Sequence, residues 1–128
     1  MKLLIDTHVL LAVLGNTTAT LPTKFSRLLR DNQDVVLASV ASLWEVAIKV
    51  RLGKLSLSMQ LDAIEAGCAE YGLGVLTIEA RHALANVDPW PPTRDPFDRL
   101  LLAQAQVEGC QLVTLDRMLA DHPLAWRP

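Results

Sequence analysis

The chain has only two cysteines, Cys68 and Cys110, far apart and without CxxC or Cys/His ligand spacing. That leaves no material for a disulfide framework or a thiolate metal site, and both read as small buried hydrophobes of a reduced compartment. No apolar run approaches the 18 or more residues of a membrane span, because Asp6 and His8 interrupt the N-terminal one. The same Asp6-Thr7-His8 falls where a signal peptide needs its apolar region. The expectation is a cytoplasmic protein with no membrane contact. An excess of one charge is missing as well: 12 Lys and Arg against 14 Asp and Glu give a formal charge of −2. Such a chain does not coat nucleic acid or an acidic bilayer, so any RNA or DNA contact needs a local basic patch. Repeats, low-complexity tracts and linkers are also lacking. What remains is 128 residues, 51% hydrophobic and 20% charged, which suits one globular domain over residues 1–128.

Apolar runs and helical patterns alternate along that length. Residues 2–5 read as a short buried strand, followed by a helix over 7–14 that stops at Gly15-Asn16. Pro22 suits the first turn of a helix carrying Phe25, Leu28 and Leu29 on one face and ending near Asn32. A second strand covers 35–38, and Ser39 can cap a helix that runs to Leu52 before Gly53. A further helix is expected over 58–71, with Leu61, Ile64 and Cys68 at helical spacing and Gly72 closing it. Residues 75–78 form a third strand and 79–86 a short helix, while the proline-rich stretch 88–96 can only be loop. The helix over 97–108 ends at Gly109, and 111–115 is the fourth strand. This alternation predicts an α/β fold with a parallel sheet of about four or five strands and helices on both faces.

Ligands of open parallel sheets bind outside the carboxyl ends of the strands. Asp6 directly follows the first strand and Asp116 the fourth. Asp98 lies in the first turn of the helix that returns into the fourth strand, so it too belongs at that edge. Glu45 is roughly 9 Å along the helix that leaves the second strand. Each acid has a plain structural explanation. Asp6 and Asp116 suit helix N-caps, Ser42-Leu-Trp-Glu45 matches a capping box, Glu45 and Lys49 form an i,i+4 pair, and Asp98 favours a helix dipole. Capping does not require burial, however, and these acids sit among apolar neighbours. Asp98 shares a helix face with Leu101, Leu102 and Ala105.

Four carboxylates at one edge repel one another, and a divalent cation removes the conflict. Oxygen-only ligands without patterned His or Cys favour Mg²⁺ or Mn²⁺ over Zn²⁺. Such an ion with a few carboxylates suits hydrolysis of a phosphodiester, with one acid free to accept the proton of the attacking water. One ion or two is equally compatible with four acids.

These residues resemble the PIN-domain ribonucleases, and among them the VapC-like toxins of bacterial toxin–antitoxin pairs. The resemblance is carried by Leu-Ile-Asp6-Thr-His-Val-Leu-Leu, Ser42-Leu-Trp-Glu45-Val-Ala-Ile-Lys, Arg-Leu-Gly53-Lys-Leu, Arg94-Asp-Pro-Phe-Asp98-Arg-Leu-Leu-Leu-Ala-Gln-Ala and Leu-Val-Thr-Leu-Asp116. The segments occur in family order and span nearly the whole chain. The resemblance implies a PIN-like fold and an acidic catalytic and metal site on Asp6, Glu45, Asp98 and Asp116. It also implies a Mg²⁺- or Mn²⁺-dependent endoribonuclease, a homodimer, that arrests growth until a cognate antitoxin covers it. Val13 stands where relatives often carry Trp, and Asp121-His122-Pro123 where many have an aromatic.

Lys49, Arg51, Lys54, Arg94 and Arg99 are the candidates for RNA phosphate contacts. His8 can approach substrate or cap and pack at its helix start, and Trp90 can stack a base or pack its own loop. Of the neighbouring acids, Asp95 precedes Pro96 and fits the N-cap, whereas Asp98 fits the metal site. Two further readings stand beside the toxin: a PIN nuclease of RNA maturation or structured DNA, and a receiver-like signalling module. The receiver would require paired acids after the first strand, an Asp after a middle strand and a late lysine. Ile5-Asp6-Thr7, Ala38-Ser39 and Thr114-Leu115-Asp116 do not supply them.

Overall fold

The computed structural model describes residues 1–31 and 35–128. Four strands form its sheet: β1 (Lys2–Ile5), β2 (Val36–Ser39), β3 (Gly74–Leu76) and β4 (Cys110–Val113). All pairs are parallel and the order is β3-β2-β1-β4. Ile5 lies opposite both Ala38 and Val113, so β1 and β4 end level and β2 runs one residue further. The helices are α1 (Thr7–Leu14), α2 (Thr23–Asp31), α3 (Val40–Arg51), α4 (Ile64–Glu70), α5 (Ala80–Ala83) and α6 (Pro96–Glu108). The expected α/β class and parallel sheet are therefore present.

Both faces of the sheet are buried, which explains why the strands read as unbroken apolar runs. Leu3 and Ile5 join a cluster with Val9, Leu10, Phe25, Ile64 and Cys68 from α1, α2 and α4. Leu4 points the other way, into a cluster with Leu101, Leu102 and Ala105 of α6 and Leu112 of β4. Cys68 and Cys110 are buried free thiols, and burial pushes both thiols up in pKa, away from the reactive thiolate.

Local signals fix where the helices stop and start. Ser39 caps α3 by accepting from the Ala41 N–H at 3.0 Å, so the cap is not the Ser42–Glu45 box. Ser42 Oγ is buried with no hydrogen-bond partner among the described residues. At the other end of α3, Gly53 turns left-handed (φ 72°), with Gly53 N–H to Val50 O at 3.0 Å and Lys54 N–H to Lys49 O at 2.9 Å. That is a Schellman closure. Asp95 caps α6 with Pro96 as its first residue, and Gly109 at φ 69° ends it, as the sequence implies.

Several boundaries differ from expectation. Residues 58–60 are not helical; a 3₁₀ turn over Leu61–Ala63 precedes α4. From Leu55 to Gln60 burial alternates, with Leu55, Leu57 and Met59 turned inward, so this irregular segment, bent at Ser58 and Met59, covers the core with every second residue. The helix expected over 79–86 is the four-residue α5, and β3 and β4 each end two residues earlier than expected. The expected end of α2 near Asn32 lies outside the described residues.

Gln104, fully buried in α6, fastens that helix to the sheet. Its side-chain oxygen accepts from Ser39 Oγ at the end of β2, and its amide donates to Thr77 O at 3.2 Å, just past β3. The N-terminus of α6 is thereby held over the carboxyl edge of the sheet. Among the described residues, no helix is long and apolar enough to cross a membrane.

Candidate active site

Parallel strands that end level deliver their next residues to one edge, and the chain places acids there. Asp6 leaves β1 in an extended conformation and is only 4% exposed. One carboxylate oxygen accepts from Val9 N–H at 2.9 Å, capping α1, and the other accepts from Leu115 N–H at 2.9 Å, just past β4. The capping role and the cluster are thus held by the same side chain. Asp116 follows β4; its carboxylate accepts from Met118 N–H at 2.9 Å, and its own N–H donates to Thr114 Oγ1. Glu45 projects from the second turn of α3. It accepts from Thr7 Oγ1 at 2.7 Å and pairs with Lys49 Nζ at 2.8 Å.

Asp98 is the third residue of α6 and half-buried. Burial first, then the charge of Asp95, a hydrogen bond and charge from Asp116, and the charge of Asp6 push its carboxyl up to about 7. Burial and the negative charge of its neighbours both favour the protonated form of such an acid. Asp95 accepts from the Phe97 and Asp98 N–H groups at 2.8 and 3.4 Å, as expected of a cap.

These side chains surround a single cavity of about 530 Å³. Asp6, Glu45, Asp98 and Asp116 all line it, joined by Asp95, Thr7, His8, Lys49 and Arg117. All four acids singled out in the sequence therefore converge. Of the candidate RNA-contacting cations, Lys49 reaches the cavity, while Arg51, Lys54 and Arg94 do not. Arg99 donates to Thr93 O at 2.7 Å and lies 5.1 Å from the Trp90 ring centre, so the two side chains secure their own loop. His8 is exposed at the cavity wall. His122, in the stretch where many relatives of the resembled family have an aromatic, is buried and meets Pro89 O at 2.9 Å.

Sequence reasoning missed Arg117, Thr7 and the cavity-facing position of Asp95. Arg117 was discoverable, since it directly follows Asp116 at the strand-end edge. Thr7 was not, because its role depends on α1 and α3 meeting across the edge.

The donors are oxygen-only and dominated by carboxylates, a set that suits a hard divalent cation. Burial and the neighbouring carboxylates both favour the protonated form of Asp98, and a bound cation would oppose them. As the side chains stand, no three His, Cys, Asp or Glu among the described residues are grouped tightly enough to hold one ion. Glu45 is drawn toward Thr7 and Lys49.

A model of the PIN domain matches residues 3–123. The chain belongs to the PIN-domain family. PIN domains are in general nucleases, and PIN nucleases generally use a divalent metal. The fold is also similar to that of VapBC2 from Rickettsia felis, solved bound to a DNA fragment from its promoter. That match has a TM-score of 0.64 at 14% identity and covers 99% of this chain and 100% of the other. Among curated proteins, none matches this PIN domain significantly in sequence.

Proposed function

We propose that this PIN domain is a Mg²⁺- or Mn²⁺-dependent endoribonuclease and the toxin of a toxin–antitoxin pair. The observation that carries the nuclease reading is the cavity of about 530 Å³ in which Asp6, Glu45, Asp98 and Asp116 meet at the carboxyl edge of the sheet. The structural likeness to a VapBC complex supports the toxin reading. A homodimer that the antitoxin partly covers, working in the cytoplasm, goes with it.

In this reading the four acids are the catalytic residues and hold the ion. When bound, the ion supplies Lewis-acid stabilisation of the phosphate charge and a more acidic attacking water. The chain's own groups do the rest. Asp6 is immobilised by two backbone N–H groups, so its carboxylate needs little reorganisation. Thr7 and Lys49 hold Glu45 at the wall. Lys49 and Arg117 bring positive charge to the rim, where an RNA phosphate must approach the carboxylates of the cavity.

The test is cleavage of RNA by the purified chain with Mg²⁺, with Mn²⁺ and with excess EDTA. Activity should vanish with the chelator and return with either ion. Undiminished cleavage in EDTA would refute the metal-dependent reading. Expression alone should arrest host growth, and co-expression of an adjacent small reading frame should restore it; growth unaffected by the chain alone refutes the toxin reading.

A further inference from the structure

We infer that a second groove, continuous with the acid cavity, is the track on which phosphates flanking the scissile bond lie, with Lys24, Arg117 and Arg127 as the cations that meet them. The inference rests on the nuclease reading above and extends it to the path of the substrate strand. The groove has a volume of about 370 Å³ and shares Leu115, Asp116 and Arg117 with the acid cavity. A strand whose phosphodiester lies at the carboxylates must leave the cavity, and one way out passes over Arg117.

Charge and surface chemistry suit this exit to a phosphate chain. Lys24, Arg117 and Arg127 are exposed, and among the described residues none of the three pairs with a carboxylate. Arg127 donates only to the backbone oxygen of Asp121, at 3.0 Å. Lys24 lies 5.0 Å from the Phe25 ring centre. Of the other cations near the acid cavity, Lys49 is paired with Glu45, and Arg99 is turned to Thr93 and Trp90. The acids of the groove are Asp116, which is turned to Asp98 and the Met118 N–H, and Asp121.

The groove also carries an aromatic pair, Phe25 and Trp126, with ring centres 5.8 Å apart. Phe25 is buried, so the ring within reach of a base is that of the half-buried Trp126; cations for phosphates beside a ring for stacking are what a single strand requires. A chain of formal charge −2 has no general attraction for RNA. Its affinity must come from such a local track.

The experiment uses the full chain with Asp98→Asn, so that RNA is bound and not cut. Affinity for a labelled single-stranded oligoribonucleotide is measured against salt. Replacing Lys24 and Arg127 together by Gln should weaken binding several-fold. It should also flatten the slope of log affinity against log salt by about 1.4, because each phosphate of a single strand that is no longer neutralised lowers it by about 0.7. Arg30→Gln, which removes a cation paired with Asp31 at 3.2 Å, should leave the slope unchanged. Circular dichroism melts establish that each variant is folded. An unchanged slope in the folded double variant overturns the groove. An equal change in Arg30→Gln overturns it too, because the effect is then general charge. Loss of binding to the antitoxin's peptide with RNA binding intact assigns the groove to a protein segment and also overturns it. Cleavage by the unsubstituted chain is scored separately, so failure of the nuclease reading is distinguishable from failure of the track.

Discussion

Replacing Asp98 by Asn should remove activity and yet stabilise the metal-free protein at alkaline pH. The unfolded chain ionises this carboxyl near its ordinary value of 3.8, whereas the folded chain keeps the proton up to about 7. Between those values the native state binds a proton that the unfolded state has lost, so stability falls as pH rises and levels off above about 7. At about 1.4 kcal/mol for each pH unit the full linkage is about 4 kcal/mol. Asp98 is half-buried, and solvent screening reduces this to about 2 kcal/mol. Asn has nearly the shape of the protonated acid and carries no charge at any pH. The variant should therefore match the parent near pH 4 and exceed it by about 2 kcal/mol at pH 8 in EDTA. Urea unfolding at a series of pH values measures this directly. Adding Mn²⁺ at pH 8 should raise the parent more than the variant, because the ion relieves the same repulsion. A variant less stable than the parent at pH 8 without metal would show that repulsion at Asp98 is not the governing force.

The neighbouring acid should behave in the opposite way. Asp95→Ala removes the α6 cap and should cost about 1 kcal/mol in chemical denaturation while retaining most RNA cleavage. An inactive Asp95→Ala beside an active Asp98→Asn would reverse the assignment. Thr7→Val deletes the 2.7 Å hydrogen bond to Glu45 and should cost about 1.5 kcal/mol in urea melts, with weaker Mn²⁺ binding by calorimetry. Gly109→Ala forces a Cβ onto a left-handed residue at φ 69°; it should lose about 1 kcal/mol in thermal unfolding without changing metal affinity.

How far the sequence could be read depended on how local each cause was. The bounds of α1 follow from an Asp cap and a terminal Gly-Asn, and α6 is framed by Asp95, Pro96 and Gly109; these signals act within a few residues. The irregular segment from Leu55 to Gln60 was harder. Leu55, Leu57, Met59 and Leu61 show a two-residue alternation, but Leu61, Ile64 and Cys68 also satisfy a helical one, and overlap of the two patterns extends the apparent helix backwards. The meeting of four acids was legible because strand order does not matter when parallel strands end level. Orientation was not legible. That Asp6 faces both Val9 and Leu115, or that Arg99 turns away toward Trp90, is set by packing between residues far apart in the chain. For the same reason the cations at the site came out differently from expectation, with Arg117 replacing Arg51, Arg94 and Arg99 at the cavity.

The two-sided bonding of Asp6 has a practical side for anyone who needs an inactive but intact copy of this protein. Its two oxygens join the beginning of the chain to a position 109 residues later, so the carboxylate serves as a non-covalent clasp as well as a charge. Asn in its place keeps one acceptor oxygen and turns an amide toward the other N–H, where two donors then face each other across a buried gap. Loss of function at that position confounds chemistry with unfastening of the two ends. Asp98, whose carboxyl gives nothing to the backbone and strains against its neighbours, is the position at which to make a silent decoy for growth, crystallisation or capture of partners.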